Sequence, residues 1–245
     1  MCLAPIPILT YHQIAIPAKR GSPFRSLTVH PGRFRRHMRW LARLGYRGLS
    51  MRDLMPYLLG QQRGKVFGLT FDDGFQNVSE NVLPVLAETG YTATNYFVAG
   101  HPGGSNFWDR DKGVPEAPLM SARQISEWAG AGHEVGAHTV DHVDLPQLEE
   151  SDAAAQIRMS RVLLEELVGV PVSSFCYPYG KYGPEHVRIA RMAGFSTATT
   201  TVRGHVRHGA DMWQLPRVPV VRSTSFLRLA QKLFTSYEDR RGRGA

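Results

Sequence analysis

Two adjacent carboxylates are the first residues in this chain whose types could carry chemistry. Asp72 and Asp73 lie in LTFDDGF (residues 69–75), between an apolar run typical of a buried strand and a glycine. Paired acids of this kind serve as general bases or as metal ligands. Asp-Gly sequences are also frequent in solvated turns and helix caps, so the pair alone leaves both interpretations open.

A second candidate cluster is the histidine pair in HTVDH, His138 and His142. The i, i+4 separation can place two imidazoles on one face of a helix, a known geometry for a metal, although such pairs also arise by chance. The motif is not the HExxH of zinc proteases, because Glu134 follows His133 and the next histidine comes one position too late. An acid and two histidines form a three-ligand set with room for water, which suits a catalytic site.

The elements that must position these residues alternate between strand and helix patterns. Apolar or β-branched runs predict strands in seven places: PILTY, VFGLTF, ATNYFV, HEVGA, SFCY, FSTAT and a segment near WQLPRVPV. Helical patterns separate most of them, with Gly90 closing one helix and Ser121 and Gln124 at capping-box spacing in another. This order predicts an α/β fold, a distorted (β/α) barrel of seven or eight strands in a single domain.

The barrel prediction also says where the chemistry belongs. In such barrels the active site forms from the loops that follow the carboxyl ends of the strands. The two acids follow VFGLTF, the histidine pair follows HEVGA, and a Pro-Tyr-Gly turn follows SFCY. Three strand ends therefore deliver polar groups to one rim of the barrel.

Length and composition fit a globular protein of ordinary type. The 245 residues, 42% hydrophobic and 20% charged, suit one large domain without repeats. Cys2 and Cys176 lie far apart and lack CxxC spacing, so the sequence indicates neither a disulfide framework nor a cysteine zinc site. No apolar run approaches a membrane span, and the first residues lack a secretory signal, so a cytoplasmic location is expected unless an export segment has been lost.

The positive charge is concentrated near the amino terminus. The net charge of the chain is +8, of which residues 1–65 contribute +11 and the remaining residues −3. Within the first segment, GRFRRHMRWLARLGY predicts an amphipathic helix with Phe34, Met38, Leu41 and Leu44 on one face. Its basic face is a candidate for peripheral contact with an anionic membrane or glycan, and the solvated face of a packed helix is the favoured alternative. Nucleic acid is not an expected partner. Residues 236–245 are predicted to form a disordered basic tail.

Taken together, LTFDDGF, GHEVGAHTVDH and FCYPYG resemble the polysaccharide deacetylases of carbohydrate esterase family 4, also called the NodB-homology domain. TFDDG matches Thr70–Gly74, and the His-Ser/Thr-x-x-His motif matches His138–His142. The sequences PILTYHQI, HMRWLARLGYRGLS and LPRVPV extend the likeness over residues 1–235. The amino-terminal part resembles the branch of poly-N-acetylglucosamine and exopolysaccharide deacetylases.

The resemblance implies a role for each motif. Asp73, His138 and His142 would hold one divalent metal, zinc by default, with cobalt, nickel or iron as alternatives. Asp72 would be the general base that takes a proton from the attacking water. The backbone N–H of Tyr179, after Pro178, would stabilise the oxyanion and contact the substrate. The implied reaction is hydrolysis of the N-acetyl group of amino sugars in a glycan, a carbon–nitrogen bond that is not a peptide bond.

Two positions depart from the family pattern. Cys176 occupies the place of an arginine that orients the catalytic acid, and Arg217 of LPRV is the candidate replacement. The usual carboxy-terminal Leu-x-His, whose histidine protonates the leaving amine, is missing. His205 and His208 are the nearest candidates for this general acid, with Asp211 to steer one of them.

Three further features leave alternatives open. His12 ends the first strand and is interpreted as a structural histidine. Trp108 is a candidate sugar-stacking platform, and Trp213 is a candidate cap on the barrel core. The alternatives to deacetylation are a deformylase or other C–N hydrolase of the same family, and a glycan-binding protein whose catalytic site has decayed.

Overall fold

The structure, a computed structural model, describes residues 4–242 of the chain. Within that range it has ten β-strands. These are β1 (Ile8–Tyr11), β2 (Gln13–Ile14), β3 (Thr28–Val29), β4 (Arg47–Leu49), β5 (Val66–Phe71), β6 (Thr94–Phe97), β7 (Glu134–Ala137), β8 (Ser174–Cys176), β9 (Thr197–Arg203) and β10 (Leu215–Pro219).

Eight α-helices accompany these strands over the same residues. They are α1 (Pro31–Arg43), α2 (Met51–Leu58), α3 (Gln76–Thr89), α4 (Ala122–Gly130), α5 (Glu150–Val168), α6 (Pro184–Met192), α7 (Phe226–Phe234) and α8 (Tyr237–Gly242). Most of the barrel strands predicted from the sequence begin and end within two residues of their observed bounds.

Seven parallel strands close into a barrel, as the sequence predicts. Their order is β1-β10-β9-β8-β7-β6-β5, and β1 pairs with β5 to complete the ring. The short β4 lies outside the ring, alongside the first residues of β5. All barrel strands point the same way, so their carboxyl ends meet at one rim.

Helix termini carry the capping chemistry that the sequence predicts. Ser121 and Gln124 form a reciprocal capping box at the start of α4. Gly90 ends α3 in the left-handed conformation, with φ of 67°. These caps satisfy backbone groups that would otherwise lack partners, and they fix the helices that cover the barrel.

The basic helix α1 is amphipathic, and it buries Phe34, Met38 and Leu41. Leu44 lies beyond the helix and is 41% exposed, so its predicted place on the buried face is wrong. Some of the positive charge of α1 is paired, since Arg39 bonds both carboxylate oxygens of Glu88 on α3. The candidate contact of α1 with a membrane is not tested by these contacts.

The carboxy-terminal segment differs from the predicted disordered tail. Residues 237–242 form α8, whose Glu238 is fully buried and bonded to Arg203 of β9 and Lys232 of α7. The run of charged residues at this end of the chain predicted disorder, but Glu238 pairs with residues on two other elements, which the sequence alone does not show. Residues 243–245, the last of the predicted tail, lie outside the described residues, as does Cys2.

Candidate active site

Strand ends bring the predicted site residues together at the carboxyl rim of the barrel. Asp72 and Asp73 directly follow β5, and His138 directly follows β7. Arg217 projects from β10, which lies two places from β5 around the closed ring. All of these residues are more than 90% buried, and they line one cleft.

Three of these residues converge as metal ligands would. The Nε2 atoms of His138 and His142 lie 3.5 and 3.3 Å from Oδ1 of Asp73, and the three ligand atoms lie within 4.8 Å of one another. Nδ1 of His138 lies 2.7 Å from the backbone carbonyl oxygen of Cys176 and donates to it, so Nε2 keeps its lone pair for a ligand. The trio therefore fits one divalent cation with a position open to water.

The loop that carries the two histidines is not helical. Thr139 and His142 have φ of 63° and 55°, a region that side chains with a Cβ rarely adopt. Gln156 of α5 holds the loop by accepting 3.0 Å hydrogen bonds from the amides of Val140 and Asp141. A strained loop, and not a helix, therefore brings the two histidines of HTVDH together, and the helical-face interpretation is wrong.

Arg217 is the residue that holds Asp72. Its Nη1 and Nη2 donate to the two carboxylate oxygens of Asp72 at 2.7 and 2.8 Å, a bidentate pair. Nε donates to the carbonyl oxygen of Thr200 at 2.8 Å, which fixes the plane of the guanidinium. The side chain of Arg217 is 1% exposed, so the pair is screened from solvent.

Cys176 makes room for this arrangement. Its Sγ lies 3.2 Å from Nη2 of Arg217. The guanidinium therefore reaches the catalytic acid from β10, past the small side chain on β8. Burial is the largest single influence on the pKa of Asp72 and would raise it. The charges of Arg217, His12 and His138, together with the hydrogen bonds from Arg217, outweigh burial and hold that pKa below its usual range. Asp72 is ionised at neutral pH.

Tyr179 lies at the edge of the cleft in a turn that few sequences could form. Its φ is 57°, and the following Gly180 has φ of 69°. A Cβ at Gly180 would come 1.8 Å from Oγ1 of Thr201, so only glycine fits there. The ring of Tyr179 packs edge-on against His142, with ring centroids 4.6 Å apart. The turn thus places Tyr179 beside the metal-ligand trio.

The two predicted general acids lie elsewhere. His205 is buried, with Nδ1 3.3 Å from Asp239 and Nε2 2.9 Å from the carbonyl oxygen of Lys232. His208 is exposed and lines a small separate cavity that includes Ile6, ahead of β1. Both predictions are wrong, because the chain turns back after β9 and pairs Val206 antiparallel with Ile6, away from the rim.

The predicted helper Asp211 is also engaged elsewhere. Its carboxylate accepts hydrogen bonds from Arg191 at 2.9 and 3.0 Å and from the backbone of Trp213 at 3.0 Å. Indole Nε1 of Trp213 donates to the carbonyl oxygen of Phe195 at 2.8 Å. These contacts give both residues structural roles at the side of the barrel.

His12, interpreted from the sequence as a structural histidine, lines the cleft beside Asp72. Its Nε2 lies 3.8 Å from Oδ2 of Asp72, and its side chain is 26% exposed to the cleft. The cause is barrel closure: β1 pairs with β5 with Tyr11 opposite Phe71, so the next residues, His12 and Asp72, are neighbours. The signal was present in TYHQ at the end of the first strand, but the pairing of first and second barrel strands could not be read from the sequence.

Trp108 packs on a metal-ligand candidate. Its ring stacks on His142 with centroids 4.6 Å apart and planes 20° apart. It is absent from the described residues that line two cavities at the rim. This contact orients the imidazole, and the predicted sugar-stacking role of Trp108 stays untested.

Comparison with known proteins agrees with this geometry. The sequence model of one family, described as polysaccharide deacetylase, matches residues 60–198, more than half of the chain. The chain belongs to the polysaccharide deacetylase family. The match spans both acids, the histidine pair and the Pro-Tyr-Gly turn. Members of this family are metal-dependent enzymes, in agreement with the ligand trio.

Individual relatives extend the likeness over most of the chain. The chain is 27% identical over 219 residues to YxkH of Bacillus subtilis (strain 168), whose name places it among the polysaccharide deacetylases, covering 89% of this chain and 72% of that protein. The structure of IcaB from Ammonifex degensii is similar, with a TM-score of 0.77, 26% identity and coverage of 92% and 95%. The Streptococcus pyogenes deacetylase PplD, in complex with acetate, shares the fold, with a TM-score of 0.81, 24% identity and coverage of 94% and 98%.

Proposed function

We propose that this polysaccharide deacetylase hydrolyses the N-acetyl groups of amino sugars in a glycan, releasing acetate and a free amine. The observation that carries the proposal is the placement of an ionised, arginine-held carboxylate, Asp72, directly beside the trio of Asp73, His138 and His142. A base next to a water-accepting metal site is the arrangement that hydrolysis requires and that binding alone does not.

The trio of Asp73, His138 and His142 supports zinc as the default metal, with cobalt, nickel or iron as alternatives, since two imidazoles and one carboxylate suit all four. When bound, the cation activates the attacking water and polarises the acetamide carbonyl. The buried position of the trio keeps its geometry fixed, and Trp108 and the Cys176 carbonyl oxygen orient the imidazoles.

Asp72 is the proposed general base. It accepts a proton from water as the water oxygen attacks the carbonyl carbon of the acetyl group. Arg217 keeps Asp72 in its place and in its charged form. The oxyanion that forms on the carbonyl oxygen then accepts a hydrogen bond from the backbone N–H of Tyr179.

His12 is the proposed general acid. It lines the cleft beside Asp72 and donates a proton to the amine nitrogen as the carbon–nitrogen bond breaks. The proton taken up by Asp72 balances the proton that His12 gives, and the two groups are 3.8 Å apart. This assignment replaces His205 and His208.

Relatives support a polymer of N-acetylglucosamine as the substrate. The chain is 22% identical over 209 residues to the poly-beta-1,6-N-acetyl-D-glucosamine N-deacetylase of Staphylococcus epidermidis, covering 80% of this chain and 69% of that protein. The named substrate of that enzyme is therefore the first to test here.

The test is acetate release from β-1,6-linked N-acetylglucosamine oligomers by the zinc-loaded protein, with the new free amines counted in parallel. We expect equal amounts of acetate and amine. The Asp72→Asn variant should lose about 10²–10⁴-fold in turnover while still binding one metal ion. Near wild-type turnover in that variant would contradict the base assignment, and release of neither acetate nor amine by the wild type would contradict N-deacetylation of this substrate.

A further inference from the structure

Residues 138–142, which we call the ligand loop, lie against the segment that follows β6. The amides of Ala99 and Gly100 donate to the carbonyl oxygens of Thr139 and Val140 at 3.0 and 2.9 Å. These bonds continue the pairing of β6 with β7 past the ends of both strands. A Cβ at Gly100 would come 2.9 Å from the carbonyl oxygen of Val140, so glycine permits this close approach. The segment after β6 therefore runs beside the ligand loop as far as His101.

At the end of this contact, His101 bonds the side chain that precedes His142. Its Nε2 lies 2.9 Å from Oδ1 of Asp141 and donates to it, since a carboxylate only accepts. The other carboxylate oxygen, Oδ2, accepts a 2.6 Å hydrogen bond from Nε2 of Gln156 on α5. Two separate elements thus hold Asp141, whose next neighbour in the chain is a metal-ligand candidate.

Aromatic rings connect His101 to His142 by a second route. The ring centroid of Phe107 lies 4.6 Å from that of His101 and 5.5 Å from that of Trp108. Trp108 in turn stacks on His142. Neither His101 nor Asp141 is among the described residues that line the cleft, so contact with a substrate does not explain the pair. Its contacts lead to the ligand imidazole.

The ligand loop needs such contacts because its backbone is strained at two positions. Thr139 and His142 both lie in the left-handed region, where a non-glycine residue stays only if its surroundings hold it. A loop that relaxed at His142 would turn the imidazole away from Asp73, whose Oδ1 lies 3.3 Å from Nε2. The contacts around Asp141 oppose that relaxation.

We propose that the His101–Asp141 pair is a clamp that holds the ligand loop in its metal-binding conformation before the metal binds. His101 and Asp141 are positioning residues, and they act on the affinity for zinc through His142. The inference rests on the proposed function, because it takes Asp73, His138 and His142 as the metal ligands. Removal of a polar group that orients a metal ligand typically lowers metal affinity about 10–100-fold.

The test measures zinc affinity by competition with a chromophoric chelator, without any substrate. His101→Phe keeps a ring against Phe107 but removes the donor, so zinc affinity should fall about tenfold or more. His101→Gln should keep most of the affinity, because its amide nitrogen stands as many bonds from the backbone as Nε2 of histidine and donates in its place. Arg191→Met is the matched control, since it breaks another partly exposed pair, with Asp211 at 2.9 Å, at the side of the barrel. This control should leave zinc affinity unchanged.

Two further measurements separate a clamp from a general loss of stability. In the metal-free protein, His101→Phe should speed hydrogen exchange of the Val140 and Asp141 amides, and Arg191→Met should not. Combining His101→Phe with Asp141→Ala should lower zinc affinity no further than Asp141→Ala alone, because both changes remove the same contact. Additive losses would overturn the clamp, and so would unchanged exchange rates in His101→Phe.

Failure of the clamp and failure of the proposed function give different results. If His101→Phe binds zinc as tightly as the wild type and the wild type releases acetate, the clamp is overturned and deacetylation stands. If zinc affinity falls as expected but the wild type releases no acetate, the clamp is supported and the proposed reaction is contradicted. A wild type that binds no divalent metal would overturn both.

Discussion

Two neighbouring carboxylates face different partners because the backbone turns between them. Asp73 has φ of 72°, and Gly74 follows with φ of 74°, where a Cβ would come 2.7 Å from Cδ1 of Phe97. The turn directs Asp73 to the histidines and leaves Asp72 facing Arg217. The sequence identifies the two acids as candidates. The different directions of their side chains depend on a backbone conformation that only the folded chain adopts.

Arg217 should prove to be a positioning residue. Arg217→Lys keeps a positive charge but loses the bidentate fork, so kcat/KM should fall about 10–100-fold. The weaker pairing should also raise the pKa of Asp72, so the acid limb of the pH–rate profile should move to higher pH. The matched control is Arg203→Lys, since Arg203 forms a similar bidentate pair with Glu238 away from the cleft. Unchanged acid limbs in both variants would contradict this role.

The rate lost on replacing His12 should depend on the leaving group of the substrate. With His12→Gln, turnover of the N-acetyl substrate should fall about 10²-fold, because an amine must be protonated to leave. Turnover of an activated aryl acetate ester should fall far less, since that leaving group departs without a proton. Parallel rate measurements on the two substrates check this, with His208→Gln as the exposed control. Equal losses on both substrates would show that His12 only shapes the cleft.

At the scale of elements, alternation of strands and helices predicted the barrel because each parallel strand needs a crossover helix. What the sequence left open was which strand ends meet across the ring. Closure between β1 and β5 put His12 beside Asp72, and the reversal after β9 removed His205 from the rim. Both depend on pairings between distant segments. Arg217 could be predicted from the sequence because its strand ends at the same rim.

Burial of His37 on helix α1 should make the stability of the folded protein depend on pH. His37 is buried on α1, and burial, with Arg33 and Arg36, lowers its pKa from 6.5 to about 4. As pH falls, His37 therefore takes up a proton in the unfolded chain before it does so in the folded chain. The free energy of unfolding should fall by about 2 kcal/mol between pH 7 and pH 5. His37→Phe should remove that share of the pH dependence in urea unfolding, whereas His208→Gln should not. An identical pH dependence in His37→Phe would contradict the assignment.

The whole molecule is electrically uneven, since residues 1–65 carry +11 and the remainder carries −3. None of the helices in residues 4–242 is long and apolar enough to cross a bilayer. Exposed Arg36 and Arg43 lie on α1, whose basic face is a candidate for contact with an anionic surface, the alternative to a solvated face.

Co-sedimentation with vesicles tests that contact. The protein should bind vesicles of anionic lipid at low salt and release them as salt rises, and Arg36→Glu with Arg43→Glu should weaken binding several-fold. Equal binding to neutral and anionic vesicles, or no effect of the charge reversal, would leave α1 as a solvated face.

One metal ion, held by Asp73, His138 and His142, is proposed above to make this chain a deacetylase. The most direct measurement is acetate release from an N-acetylglucosamine oligomer while zinc is titrated into protein stripped by a chelator. We predict that activity rises from near zero and levels off at about one ion per chain, and that His142→Ala shows neither binding nor activity. Full activity in the stripped protein, or a tightly bound ion that His142→Ala retains, would contradict the claim.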